Sequence, residues 1–330
     1  MRSILVMLSS LVLAGQAAAF NFDAHVIGAE HSFRMMPESL QQQYEQEAEA
    51  LLELIEETEL LDQEQMLFMT RYEFASRFAQ LSILPDLVRR TELPETYRIL
   101  GLTMPDSVAA LPEKAGSMGH YINIGYQSGD DGYLPGQPGS EVAVKVPNVT
   151  TVLPAFKTAL PEVSGVERAL VNAYLTHLVF DATQPMHSIA RVTEEYPMGD
   201  LGGNATCFQP DPIQGGCARN LHSLFDGLAG WTERLRLGLT AEQGLAEIAA
   251  SEMPAELTRQ YLPIAQLAME SSQYAEAIYA PVLEGPIQSK AERDAYREAW
   301  QPIMMGRLNL AAYRLADLHH QFNDGKVAAN

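Results

Sequence analysis

Two pairs of residues stand out for the chemistry they could do. His177 and Asp181 are four apart, and so are His222 and Asp226. On a helix that spacing stacks two side chains on one face, one turn apart. An imidazole nitrogen and a carboxylate oxygen placed so can grip one divalent cation or two adjacent ones. They are the ligands zinc takes where thiolates are absent. A third histidine, His187, follows Asp181 by six residues, just past the Gln184-Pro185 step where the chain can fold back. One such pair alone is most often a surface ion pair. Two pairs, a histidine beside a helix break and the glycine-rich link Gly199-Asp200-Leu201-Gly202-Gly203-Asn204 together point to a metal site.

The elements that must position these residues read as helices. Leu40, Tyr44, Leu51, Ile55 and Leu60 recur at helical spacing behind Pro37, and the many glutamates between them form a solvated face. Further helices are predicted from Met66 to Leu84, from Thr151, and from Ser164 to Thr183, the last ended by Gln184-Pro185. The remainder reads as helix over 221–237, 240–251, 254–284 and 289–322. Gly125 to Pro147 and 188–218 read as irregular loops, with no strand, hairpin or internal repeat. The expected architecture is all-α: a single helical bundle domain over residues 20–330, with long loops.

Composition limits what such a domain can be. The chain has 330 residues, 47% of them hydrophobic, which excludes a disordered or fibrous protein. A formal charge of −20 argues against a broad basic surface for gripping duplex nucleic acid. Residues 1–19 read as a signal peptide, with Arg2 before an apolar run too short to span a bilayer and a small-residue cleavage pattern at Ala17-Ala18-Ala19. The mature protein is then exported, secreted or periplasmic, with no membrane insertion, and is taken as a monomer. Cys207 and Cys217 would meet an oxidising compartment, where a bond across their turn-rich link contributes roughly 2–3 kcal/mol.

The run Leu175-Thr-His177-Leu-Val-Phe-Asp181-Ala-Thr-Gln184-Pro185-Met-His187, then Asp200-Leu-Gly-Gly-Asn204, then Asn220-Leu-His222-Ser-Leu-Phe-Asp226 resembles a known signature. It is similar to that of the zinc-dependent single-strand-specific nucleases of the mung bean, or S-one/P-one, family, whose fold is shared with zinc-dependent phospholipases C. Gly306 to Ala316 resembles that family's closing helix. The resemblance implies a helical bundle with a trinuclear zinc cleft, and its other ligands can be sought residue by residue. The family starts its mature chain with an aromatic residue whose amine and carbonyl bind zinc, and has a histidine five positions on. A cut after Ala19 leaves Phe20-Asn-Phe-Asp-Ala-His25, so cleavage pattern and ligand spacing select the same bond. Leu84-Pro85-Asp86 matches the family's aspartate segment, and Gly119-His120-Tyr121 its next histidine. By that likeness Asp86, His120, His177 and Asp181 hold one zinc. Phe20 and His25 hold a second with Asp181 bridging, and His187, His222 and Asp226 hold the third. The chain departs from the family pattern at Phe20, Ala24, Leu84 and Phe225, where tryptophan or glycine is usual.

The resemblance implies in-line hydrolysis of single-stranded DNA or RNA to 5′-phosphorylated products, with 3′-nucleotidase activity, through Asp86 and Asp181. Three divalent cations outweigh the three aspartates, so the cleft attracts a phosphodiester although the surface is acidic. Zinc lowers the pKa of water toward neutrality and polarises phosphoryl oxygens. Asn204 could donate to a phosphate, and a base could stack on Tyr121 or Phe208. A phospholipase C-like phosphodiesterase is the alternative reading, since fold and ligands are shared. A helical protein that merely stores metal is a third. His31, His319 and His320 read as non-ligands, the last two favouring the dipole at a helix end.

Overall fold

The computed structural model describes residues 20–127 and 146–325. The leader reading lies outside these residues, as does most of the loop expected over 125–147. Helix dominates the described chain, as its periodicity predicts.

The first helix, Phe22–Met35, begins where the Asn21 side chain accepts from the Ala24 amide at 3.1 Å. The acidic helix, Glu38–Thr58, buries Leu40, Tyr44, Ala48, Leu51, Leu52 and Ile55 on one stripe and keeps most of its glutamates in water. The central helix, Gly165–Thr183, is different. From Ala169 to Thr183 every residue is buried, so it has no solvent face and must run through the middle of the bundle. The closing helix, Lys290–Asn323, packs along both the first and the central helix. Gly28 permits that three-way approach. A Cβ there would sit 2.7 Å from the Phe180 ring and 2.8 Å from Leu308. Arg307 of the closing helix is fully buried, and its Nε donates to the Thr183 carbonyl at 2.8 Å, fixing the end of the central helix.

Several expectations need correction. Two small sheets occur where loop was expected. Strand β1 (Ile124–Tyr126) pairs in parallel with β2 (Ile189–Arg191), and β3 (Cys207–Pro210) pairs antiparallel with β4 (Cys217–Asn220). Strands of three or four residues carry too little alternation to register as a period. The helix expected from Met66 to Leu84 is instead Gln63–Thr70, a break, and then Arg77–Gln80 running through a 3-10 turn into Leu84–Leu87. Pro85 therefore opens a turn of helix rather than ending one, since a first-turn amide has no helical partner to lose. The helix from Leu221 stops at Asp226 because Leu228 and Ala229 adopt left-handed φ values of 50° and 55°. Within 254–284 only Ile264–Ser272, Ala275–Tyr279 and one 3-10 turn are helical. His319 does not serve a surface dipole: it is fully buried, 3.1 Å from the Tyr44 hydroxyl.

Cys207 and Cys217 are joined in a disulfide across the β3–β4 hairpin. The hairpin runs into Asn220, whose side chain caps the helix Leu221–Asp226 by accepting from the Ser223 amide at 2.8 Å. A Cys207→Ser/Cys217→Ser protein is expected to lose roughly 2–3 kcal/mol of stability, the entropy of closing so short a loop. Chemical denaturation would read this, and an unchanged midpoint would refute it.

Candidate metal centre

The sequence-selected side chains converge. His25 stands one turn into the first helix, His177 and Asp181 on the last two turns of the central helix, and Asp86 in the short helix Leu84–Leu87. His120 follows the turn Ala115–Met118, and His187 lies on the 3-10 turn that Pro185 opens. His222 and Asp226 share one face of Leu221–Asp226. Donor atoms of His25, Asp86 and His177 lie within 4.8 Å of one another, as do those of His120, His177 and Asp181, and those of His187, His222 and Asp226.

Asp181 sits between two sets of rings. Its Oδ1 is 3.4 Å from His25 Nε2, and its Oδ2 is 3.1 Å from His120 Nδ1 and 3.2 Å from His177 Nε2. Asp86 Oδ1 lies 3.7 Å from the same His120 and His177 nitrogens. In the third group, Asp226 reaches His187 Nε2 at 3.8 Å and His222 Nε2 at 3.5 Å with different oxygens. The segment just before the first helix is held beside this group, because the Asn21 amide donates to the Asp226 carbonyl at 2.8 Å. Phe20 is wholly buried, its ring edge-on to His25.

Four of the imidazoles are oriented by main-chain carbonyls. His177 Nδ1 donates to Ser82, His187 Nδ1 to His120, His222 Nδ1 to Gly202 and His120 Nε2 to Gly116, at 2.7–3.0 Å. Each bond fixes a tautomer and leaves the other nitrogen bare, facing inward. His120 Nδ1 and His177 Nε2 consequently direct lone pairs at each other across 2.8 Å, which is repulsive unless a cation lies between them. Burial lowers the pKa of all five rings, that of His222 to about 4, so protons do not resolve the conflict near neutral pH. Burial also raises Asp86 to about 6 and lifts Asp181 and Asp226 well above the carboxylate range. A bound divalent cation inverts this balance and keeps the acids ionised.

The donor set fits such an ion. Both nitrogens of His25, both oxygens of Asp86, Asp181 Oδ1, His187 Nε2 and His222 Nε2 are buried without a hydrogen-bond partner. Orphaned polar atoms in this number are costly unless a common partner satisfies them. Neutral imidazole and carboxylate without thiolate suit zinc. Over residues 58–323 the chain matches the S1/P1 Nuclease family. The chain belongs to the S1/P1 nuclease family. Nuclease function, the hydrolysis of phosphodiester bonds, comes with that membership. The matched range contains seven of the nine ligand-type residues and leaves out Phe20 and His25. No curated protein matches the chain.

Beside the metal groups lies a cavity of about 180 Å³ whose lining includes Arg89, Tyr121, Leu201, Asn204, His187 and His222. Asn204 is partly engaged there, its Nδ2 donating to the Leu201 carbonyl at 2.8 Å. Gly202 must be glycine: its φ is 62°, and a Cβ would stand 2.3 Å from the Met186 carbonyl. Phe208 is excluded as a base platform, because it is fully buried against Tyr296. The departures at Leu84 and Phe225 are likewise core positions, with Phe225 packed against Trp300. Sequence reasoning missed Arg89, although it follows Asp86 by three residues, a same-face spacing.

It also took Gln184 only as a helix stop. Gln184 Nε2 donates to Asp226 Oδ1 at 2.7 Å, tying the end of the central helix to the third group. Gln184→Leu is expected to weaken metal retention ten- to a hundredfold, roughly the effect of losing one outer-shell bond, with unchanged far-ultraviolet circular dichroism. Competition with a colorimetric chelator measures it, and parental retention would contradict the role.

Proposed function

We propose that the chain is an exported zinc nuclease that cuts single-stranded DNA or RNA to 5′-phosphorylated products and also removes 3′-phosphates from nucleotides. The observation carrying this reading is the convergence of bare, buried imidazole and carboxylate lone pairs on one pocket inside a nuclease-family chain. Asp86, His120, His177 and Asp181 would hold one zinc, Asp181 with His25 and the Phe20 terminus a second, and His187, His222 and Asp226 the third. When bound, zinc supplies Lewis-acid activation of water and of phosphoryl oxygen near neutral pH.

The chain's own groups do the rest. Asp181, with an oxygen toward His25 and the other toward His120 and His177, would serve as a ligand to both the first and the second zinc. Arg89 offers a guanidinium to a phosphate oxygen. Tyr121, Leu201 and Asn204 line the same cavity, the tyrosine as an aromatic partner for an unpaired base and Asn204 as an amide. So small a cavity disfavours a base still stacked in a duplex. One domain over 20–330 and release of the leader after Ala19 belong to the same reading. Among the described residues no helix is long and apolar enough to cross a membrane.

The test is zinc-loaded protein with an authentic Phe20 terminus, assayed on single-stranded DNA, duplex DNA and a phosphocholine ester. Single strands should be cleaved and the activity should vanish in chelator and return with zinc. Cleavage of the ester without nucleotide release would favour the phospholipase C-like alternative instead. A variant retaining one extra residue before Phe20 is expected to bind less than a full complement of zinc and to lose at least about tenfold in rate, since its α-amine becomes an amide. Equal zinc content and rate would remove Phe20 from the site.

A further inference from the structure

Resting on the nuclease reading, we infer that the groove walled by Arg89, Arg90 and Lys114 is a second phosphate-binding subsite, which takes the backbone of the single strand as it leaves the metal pocket. The groove, about 620 Å³ in volume, is lined by these three cations with Thr91, Glu92 and Glu113. Its lining carries a net positive charge on a chain whose formal total is −20. Arg89 lines both this groove and the cavity beside the metal groups, so the two share that side chain as a wall.

The groove is also built to a fixed distance from the chemistry. One wall is the turn Ala115–Met118 that follows Lys114. That turn supplies the Gly116 carbonyl that orients His120 and the Ser117 carbonyl that accepts from Arg89 Nε at 3.3 Å. Lys114 is therefore two residues from the carbonyl that orients the His120 ring. Arg90 follows Arg89 in the chain and lines the same groove. A polyanion emerging past Arg89 meets both cations before it meets the acidic surface, an electrostatic track of the kind that follows a single strand without reading its bases. A dinucleotide has a single internucleotide phosphate, which the metal pocket takes in this reading, so it leaves none for the groove.

The experiment compares the zinc-loaded parent with Arg90→Ala/Lys114→Ala, and with each single variant, on a thymidine dinucleotide and on a twelve-residue oligothymidylate. For the oligomer, KM should rise about tenfold in the double variant with kcat unchanged. The slope of log kcat/KM against log salt should flatten by about 1.4, at about 0.7 for each phosphate no longer neutralised, and by half that in the singles. Dinucleotide kinetics should be unaltered. Lys114→Arg, which keeps the charge, should restore parental KM. If the parent cleaves both substrates and the double variant keeps its oligomer KM and salt slope, this subsite is wrong and the nuclease reading stands. If the parent cleaves neither, the nuclease reading fails and the subsite with it.

Discussion

Asp181→Asn is expected to lower turnover by about three orders of magnitude or more, a loss of ~4 kcal/mol in transition-state stabilisation at ~1.4 kcal/mol per decade. It is in close range of both ring sets: one of its oxygens lies 3.4 Å from His25 and the other 3.1 and 3.2 Å from His120 and His177. An amide has nearly the same shape, so packing is preserved, but it carries no charge and offers only one oxygen. One of its faces would present N–H groups to rings whose inward nitrogens already want a cation. The variant should therefore lose metal from the two sites that share Asp181 while the group at His187, His222 and Asp226 retains its own. Metal analysis beside steady-state rates separates these effects. Full activity with full metal content would overturn the assignment of Asp181 as the shared ligand.

Removing metal altogether should act on the fold as well as on the rate. The three groups link the first helix, the central helix, the 3-10 turn after Gln184 and the helix Leu221–Asp226. Stripped of cations, these elements meet at a cluster of unsatisfied buried atoms. With free zinc at about a thousand times its dissociation constant, binding stabilises the native state by ~4 kcal/mol per site. At roughly 2–4 °C per kcal/mol for a chain of this size class, chelation should lower the melting temperature by about 10 °C or more. Scanning calorimetry with and without chelator reads this directly, and superimposable melts would mean that the groups do not share a bound ion.

The parts of this architecture legible in the sequence are those encoded by side-chain type. His177-x-x-x-Asp181 and His222-x-x-x-Asp226 announce themselves because helical geometry converts that spacing into one face. The acidic helix is equally plain, its buried stripe being written in leucine and isoleucine. The central helix is marked by its ending, Gln184-Pro185, rather than by amphipathicity, because it is buried on every side. What escapes depends on long-range partners. β1 and β2 are three residues each, and neither has a strand's pattern without the other. Arg89 is visible as a residue but not as a neighbour of the site. Phe208, an aromatic beside a cysteine in a turn-rich segment, resembles an exposed platform until the hairpin folds it inward.

The orienting of the imidazoles is invisible in the sequence for a deeper reason. Their partners are peptide carbonyls of residues 82, 116, 120 and 202, and every amino acid possesses one. A scaffold made this way is shielded from drift in ordinary side chains. Position 82 could exchange serine for alanine, for instance, and the ring of His177 would keep its acceptor. Alanine scanning would therefore pass over most of the machinery that aims these rings. Damage would come from changes that reroute the peptide itself, such as a proline insertion or loss of the glycine at 202, so the lineage of such a protein can diversify widely in sequence while its centre stays geometrically fixed.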